Sequence, residues 1–124
     1  MKNLLWIIGL LLFASFSCED TSEKTYKLGE LEELGKEIQA LSESVTCTNS
    51  SEWRFTPMGS KACGGPIKYI AYHQSIEQKF LDLVTQYTKL QAEYNQKNNV
   101  ISDCMLVASP KSVTCEGGKA ILVN

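Results

Sequence analysis

Apolar residues recur along this chain in three rhythms, and each rhythm predicts a different kind of element. Leu4 to Phe13 form an unbroken apolar run relieved only by Gly9. Residues 19–27 (EDTSEKTYK) then carry no apolar periodicity and read as a polar tether. From Leu28 the apolar positions Leu28, Leu31, Leu34, Ile38, Leu41 and Val45 step by three and four, which gathers them on one stripe of a helix. Gly29 and Gly35 interrupt that helix, each costing about 1 kcal/mol relative to alanine, so tertiary contacts must support it. A second and cleaner stripe runs through Ile76, Phe80, Leu83, Tyr87, Leu90 and Tyr94, with Val84 widening it. Ser75, three residues before Gln78, has the spacing of a capping box at its entry, and Asn95, Asn98 and Asn99 dissolve the pattern at its exit. About three heptads are too few to favour a coiled-coil partner over packing on the protein's own sheet.

The remaining apolar positions alternate or cluster as strands do. Trp53–Thr56 and Ile67–Tyr72 are rich in aromatic and β-branched residues, and Ser-, Thr- and Asn-rich residues 45–52 precede them as a loop. Later come the run Cys104–Ala108, a turn at Ser109–Pro110, a segment Ser112–Cys115, and a last strand Ala120–Val123. The last two are joined across Glu116–Gly117–Gly118–Lys119, a hairpin signal. The predicted class is α+β: two amphipathic helices on a small, mostly antiparallel sheet, in a single domain over residues 28–124.

The opening run has the anatomy of an export signal. Lys2 supplies the positive start, the apolar stretch is shorter than the roughly 20 residues that span a bilayer, and small Ser15 and Ser17 precede Cys18. Residues 1–17 are therefore expected to be a leader, with Cys18 first in the mature chain. An ordinary signal peptidase would accept Ser15 and Ser17, whereas a cysteine immediately after the cut is what lipoprotein processing requires. The cysteine count favours the second route. There are five cysteines, and an odd one in an oxidising compartment needs a use. Acylation of Cys18, with palmitate or a similar chain, leaves Cys47, Cys63, Cys104 and Cys115 to pair as disulfides. Spacings this wide in an exported chain favour disulfides over zinc. Four cysteines allow three connectivities. Of these, Cys104 with Cys115 across a strand pair turning near Ser109–Pro110, and Cys47 with Cys63, is preferred.

Charge narrows the partners. The formal charge is −2, from 12 basic and 14 acidic side chains, and there is no basic run. Nucleic-acid binding, which depends on neutralising phosphates, is not expected. No metal-binding spacing and no haem-attachment motif occurs, and no cofactor is implied. The lone histidine, His73, would need a nucleophile and an acid beside it to catalyse acyl transfer. Ser75, Asp82 and Asp103 are available, but no nucleophile motif marks them, so a surface or capping role is expected and the chain is read as non-enzymatic.

Gly59–Ser60–Lys61–Ala62–Cys63–Gly64–Gly65–Pro66 concentrates three glycines, a cysteine and a proline in one turn. It reads as a cysteine-anchored loop between two strands, with Lys61 as its one charged tip. Trp53 and Tyr69 are the residue types that dominate binding hot spots, although a small domain also builds its core from them. The glycine-rich stretch, Tyr69–Ile70–Ala71–Tyr72 and Ser102–Asp103–Cys104–Met105 together resemble recurring elements of small bacterial envelope lipoproteins of the Bacteroidota type. The resemblance covers residues 47–115 and implies an envelope location without supplying a catalytic residue. The expected function is a lipid-anchored binding module of the cell envelope, meeting the membrane through its anchor and an envelope protein through Lys61, Trp53 or Tyr69. The alternative is an inhibitor or immunity protein that inserts a rigid loop into an envelope lysozyme or protease.

Overall fold

The computed structural model describes residues 20–124, with side chains from Lys27 onward. The leader and Cys18 lie outside the described residues. Helix α1 runs from Asp20 to Ser42, hairpin strands β1 (Trp53–Met58) and β2 (Lys68–His73) follow, then α2 (Glu77–Lys97), and a second hairpin, β3 (Ser112–Glu116) with β4 (Lys119–Val123), closes the chain. The class is α+β, as the patterning predicts, but the strands form two separate two-stranded antiparallel sheets instead of one.

The first hairpin is the middle layer, and its alternation explains the layering. Trp53 stands opposite His73, Arg54 opposite Tyr72, Phe55 opposite Ala71 and Thr56 opposite Ile70. Successive side chains on a strand face opposite ways. Met58, Ile70 and Tyr72 therefore turn to the helices, where they meet Ile38, Phe80 and Val84 in the main core. Phe80 and Ile38 are fully buried, and the Tyr72 ring stacks on Phe80 at 5.0 Å. Trp53 and Ala71 turn the other way and pack with Cys47 against Val113, Cys115, Ala120 and Leu122 of the second hairpin. The result is three layers: helices, first hairpin, second hairpin.

The helices are antiparallel. Leu28 shares a cavity with Tyr94, and farther along α1 a Cβ on Gly35 would sit 3.3 Å from Tyr87 Cε2. Gly35 thus serves as a close-approach point, a role its propensity cost alone does not suggest. Ser42 ends α1 by donating its buried hydroxyl to the Ala71 carbonyl at 2.6 Å, which pins the helix to β2. In the second hairpin Gly117 and Gly118 both have positive φ, as a tight two-residue turn requires.

Four expectations need correction. The described helix runs from Asp20, so most of the polar stretch read as a tether is helical; helix propagation adds a backbone hydrogen bond per residue and needs no apolar periodicity. Ser75 forms no capping box. It lies in a 3-10 turn (Gln74–Ile76) capped by His73, and Gln78 donates instead to Asp82. Cys104–Ala108 is not a strand, since β3 takes β4 as its partner and leaves that segment without a ladder. For the same reason the cysteines pair differently: Cys47 with Cys115, and Cys63 with Cys104. Cys115 faces the inner layer beside Cys47, whose backbone N–H donates to the Gly118 carbonyl at 2.8 Å.

Because the two bridges close segments separated by 68 and 41 residues, each should contribute about 4 kcal/mol by loop closure. Non-reducing peptide mapping should recover Cys47–Cys115 and Cys63–Cys104 peptides. The double variant Cys47→Ala/Cys115→Ala should lower the unfolding free energy by an amount of that order, read from the shift of its denaturant midpoint.

Candidate functional site

Three places bear on function, and the glycine-rich loop is the first. It joins β1 to β2 and is held to α2 by polar side chains: Thr88 Oγ1 accepts from Gly59 N–H, Gln91 Oε1 accepts from Ser60 N–H, and Asn95 Nδ2 donates to the Ser60 carbonyl. Gly59 has φ +81°, and a Cβ there would come within 2.7 Å of Gln91 Oε1, so only glycine fits. Thr88, Gln91 and Asn95 repeat at helical spacing on one face of α2. That polar stripe is legible in the sequence as a second spacing beside the apolar one.

Lys61 is not a free tip. Its Nζ donates to Asp103 Oδ1 at 2.7 Å and to the Met105 carbonyl at 2.8 Å, and its side chain is only 12% exposed. The cause is the staple: the Cys63–Cys104 bridge draws residues 102–105 alongside the loop, and Ser102 Oγ accepts from Cys63 N–H. The hydrogen bond from Lys61, with a second from Met105 N–H, holds the Asp103 carboxyl below the usual carboxylate range.

The second place surrounds His73. Its Nδ1 lies 2.7 Å from Ser75 Oγ and accepts the Ser75 backbone N–H at 3.1 Å, while Nε2 lies 3.4 Å from Glu52 Oε2. A serine, a histidine and a carboxylate thus lie in sequence, with Glu52 in the position for which Asp82 and Asp103 were considered. However, the Nδ1 lone pair already serves the backbone cap, so it is not free to take a proton from Ser75. The Trp53 ring meets the imidazole edge-on at 5.5 Å. Among the described residues, no group of three His, Cys, Asp or Glu side chains is arranged to hold a metal.

The third place is a cleft between the two hairpins, with a volume of about 620 Å³. Four consecutive residues of β2 (68–71) line one side and four of β4 (119–122) the other, with Trp53 and the end of α1 completing the wall. Tyr69 lies here, half-buried and edge-on to Phe55 at 6.1 Å. Trp53 is a wall residue at 6% exposure, the core-building role that its residue type also allows. Its large ring is what fills the space between the layers. Its Nε1 is enclosed without a hydrogen-bond partner among the described residues, an arrangement that costs about 1–3 kcal/mol. The structure thus brings Trp53 and Tyr69 to one cleft and leaves Lys61 in the separate, stapled loop.

The edge of β2 in this cleft is open in a specific way. Ala71 turns its carbonyl away from β1 to Ser42. In a strand, alternate residues address the same edge, so the N–H and C=O of Tyr69 face that edge as well. No family model, curated protein or solved structure matches this chain.

The Lys61–Asp103 pair carries a sign that can be checked. Because the folded carboxyl is held below its unfolded value, its contribution is present above the ordinary aspartate pKa of about 3.9 and is lost as pH falls through the folded value. The carboxyl resonance of Asp103, followed by NMR across acidic pH, should titrate at a lower midpoint in the parent than in Lys61→Met. Equal midpoints would mean that the pair does not form.

Proposed function

We propose that this chain is a non-catalytic, membrane-anchored binding module of the cell envelope, and that it captures an extended polypeptide segment in the cleft between its hairpins. The observation that carries the reading is the pair of edge strands, β2 and β4, framing one cleft with Tyr69 at its open edge. Strand edges present backbone donors and acceptors that an incoming strand can satisfy, and pockets beside them read its alternate side chains. Each backbone hydrogen bond contributes about 0.5–1.5 kcal/mol net, so a four-residue match gives modest affinity and the wall residues add the rest. The anchor rests on the sequence: an apolar leader, small residues before Cys18, and a fifth cysteine beyond the four in disulfides.

The inhibitor reading keeps one supporting observation, the exposed residues Ala62–Gly65 on a stapled loop. With Lys61 engaged by Asp103, that loop offers shape without its charge.

A random peptide display library panned on the full chain tests the cleft. Enriched sequences should alternate apolar and polar residues, and their binding should weaken about tenfold or more in Tyr69→Ala, equivalent to about 1.4 kcal/mol. Lys61→Ala should leave it unchanged. Binders that survive Tyr69→Ala but are lost with changes at Ala62 or Gly64 would favour the inhibitor reading.

A further inference from the structure

Residues 100–106 form an irregular segment whose apolar side chains point into solvent. Ile101 is 93% exposed, Met105 76% and Leu106 87%, with Val100 partly exposed beside them. Single exposed apolar residues are ordinary, but a contiguous group calls for an occupant. Three features of this segment suit it to one kind of surface.

The segment is already rigid. The Cys63–Cys104 bridge ties it to the glycine-rich loop, and Val100 N–H donates back to the Asn95 carbonyl at the end of α2. Docking it therefore loses little conformational freedom. Several of its polar groups are also satisfied from within: Met105 N–H donates to Asp103 Oδ1, the Met105 carbonyl accepts from Lys61, and Ser102 Oγ accepts from Cys63 N–H. Backbone groups paired in this way cost less to remove from water. Its single acid, Asp103, is offset by Lys61 at 2.7 Å, so the segment carries almost no net charge.

The third feature is position. Val100 and Asn95 share a cavity with Leu28 and Leu31 of α1. From Leu28, α1 continues eight residues toward its N-terminus, to Asp20, about 12 Å of helix. Because the helices are antiparallel, this extension passes the C-terminal end of α2, on the side of the segment. One residue, Glu19, then separates Asp20 from Cys18, so two chain steps give a reach of about 7 Å at most. The chain's route to its anchor thus leaves the domain at the end where the apolar segment is displayed.

We infer that residues 100–106 are a lipid-contacting loop, which seats Ile101, Met105 and Leu106 in the headgroup–acyl boundary of the bilayer that holds the anchor. The inference rests on the anchored reading. The loop acts as a second contact, fixing the orientation of the domain so that the cleft between the hairpins, at the opposite end of α1, faces away from the lipid. Interfacial seating of this kind reaches about 5–10 Å into the bilayer, and surface side chains can supply it.

The test uses the full, processed chain on vesicles of phosphatidylethanolamine and phosphatidylglycerol, with and without bromine on the acyl chains. Leu106→Trp places a reporter on the loop and Ile121→Trp places one on β4, each read against the parent's own tryptophan emission. Brominated lipid should quench the Leu106→Trp reporter about twofold or more, as burial at the acyl boundary requires, and should leave the Ile121→Trp reporter unchanged. An unquenched Leu106→Trp reporter on protein that sediments with the vesicles would overturn the loop and leave the anchor standing. The same measurement with Cys18→Ala, read for acyl label and sedimentation, separates the two ideas. Release of this variant supports the anchor. Retention of Cys18→Ala with its Leu106→Trp reporter quenched would support the loop, and a parent that takes up no acyl label would overturn the lipid on Cys18. Protein that stays in solution in every arm would overturn both.

Discussion

The hairpin β1–β2 is buried on both faces, and the rest of the domain is arranged by that constraint. A sheet with one wet face already resists a slip of one residue, because the slip turns its apolar set to solvent. Here a slip of one residue would exchange the contents of two cores at once, sending Ile70 and Tyr72 toward the second hairpin and Trp53 and Ala71 toward the helices. The register is therefore specified from two sides. The helices gain their footing through Phe80 and Ile38 on one face, and the second hairpin gains its footing through Trp53 on the other. The helices also pack on each other through Ile38, Phe80 and Val84, and the middle layer completes that core.

One disulfide is part of this packing and the other lies where it stops. Cys47–Cys115 ties the loop after α1 to the outer hairpin within the small second core. Cys63–Cys104 ties two irregular segments that have no apolar core between them. A domain of this size gains limited stability from its apolar interior, and covalent staples help most at such margins. The second staple also has a chemical consequence, since it brings Asp103 and the Met105 carbonyl to Lys61 and removes that ammonium from the surface.

Local rhythm made much of this fold legible. The stripes of both helices, the two hairpins, the Gly117–Gly118 turn and the anchored loop at Gly59–Pro66 all follow from spacing and turn chemistry within short windows. What rhythm could not reveal is which short elements meet. Cys104–Ala108 has the composition of a strand, but β3 has only one ladder partner and it is β4, so the disulfide connectivity inferred from the other pairing failed with it. The site divides in the same way. Tyr69 was readable as a candidate because its residue type and alternation are local properties. The burial of Trp53, the engagement of Lys61 and the approach of Glu52 to His73 each depend on segments distant in sequence. The polar stripe Thr88–Gln91–Asn95 is the exception, a signal of local spacing that apolar periodicity does not report.

If the two-sided burial of β1–β2 governs the domain, its protection from exchange should reflect that. Native-state hydrogen exchange followed residue by residue under increasing denaturant tests this most directly, because it ranks the opening free energies of separate elements. The amides of β1 and β2 that bond across the hairpin should exchange last and only with global unfolding. Those of the outer hairpin β3–β4 and the first turns of α1 should open earlier. If β3–β4 or α1 kept its protection after β1–β2 had lost its own, the first hairpin would not be the element on which the others depend.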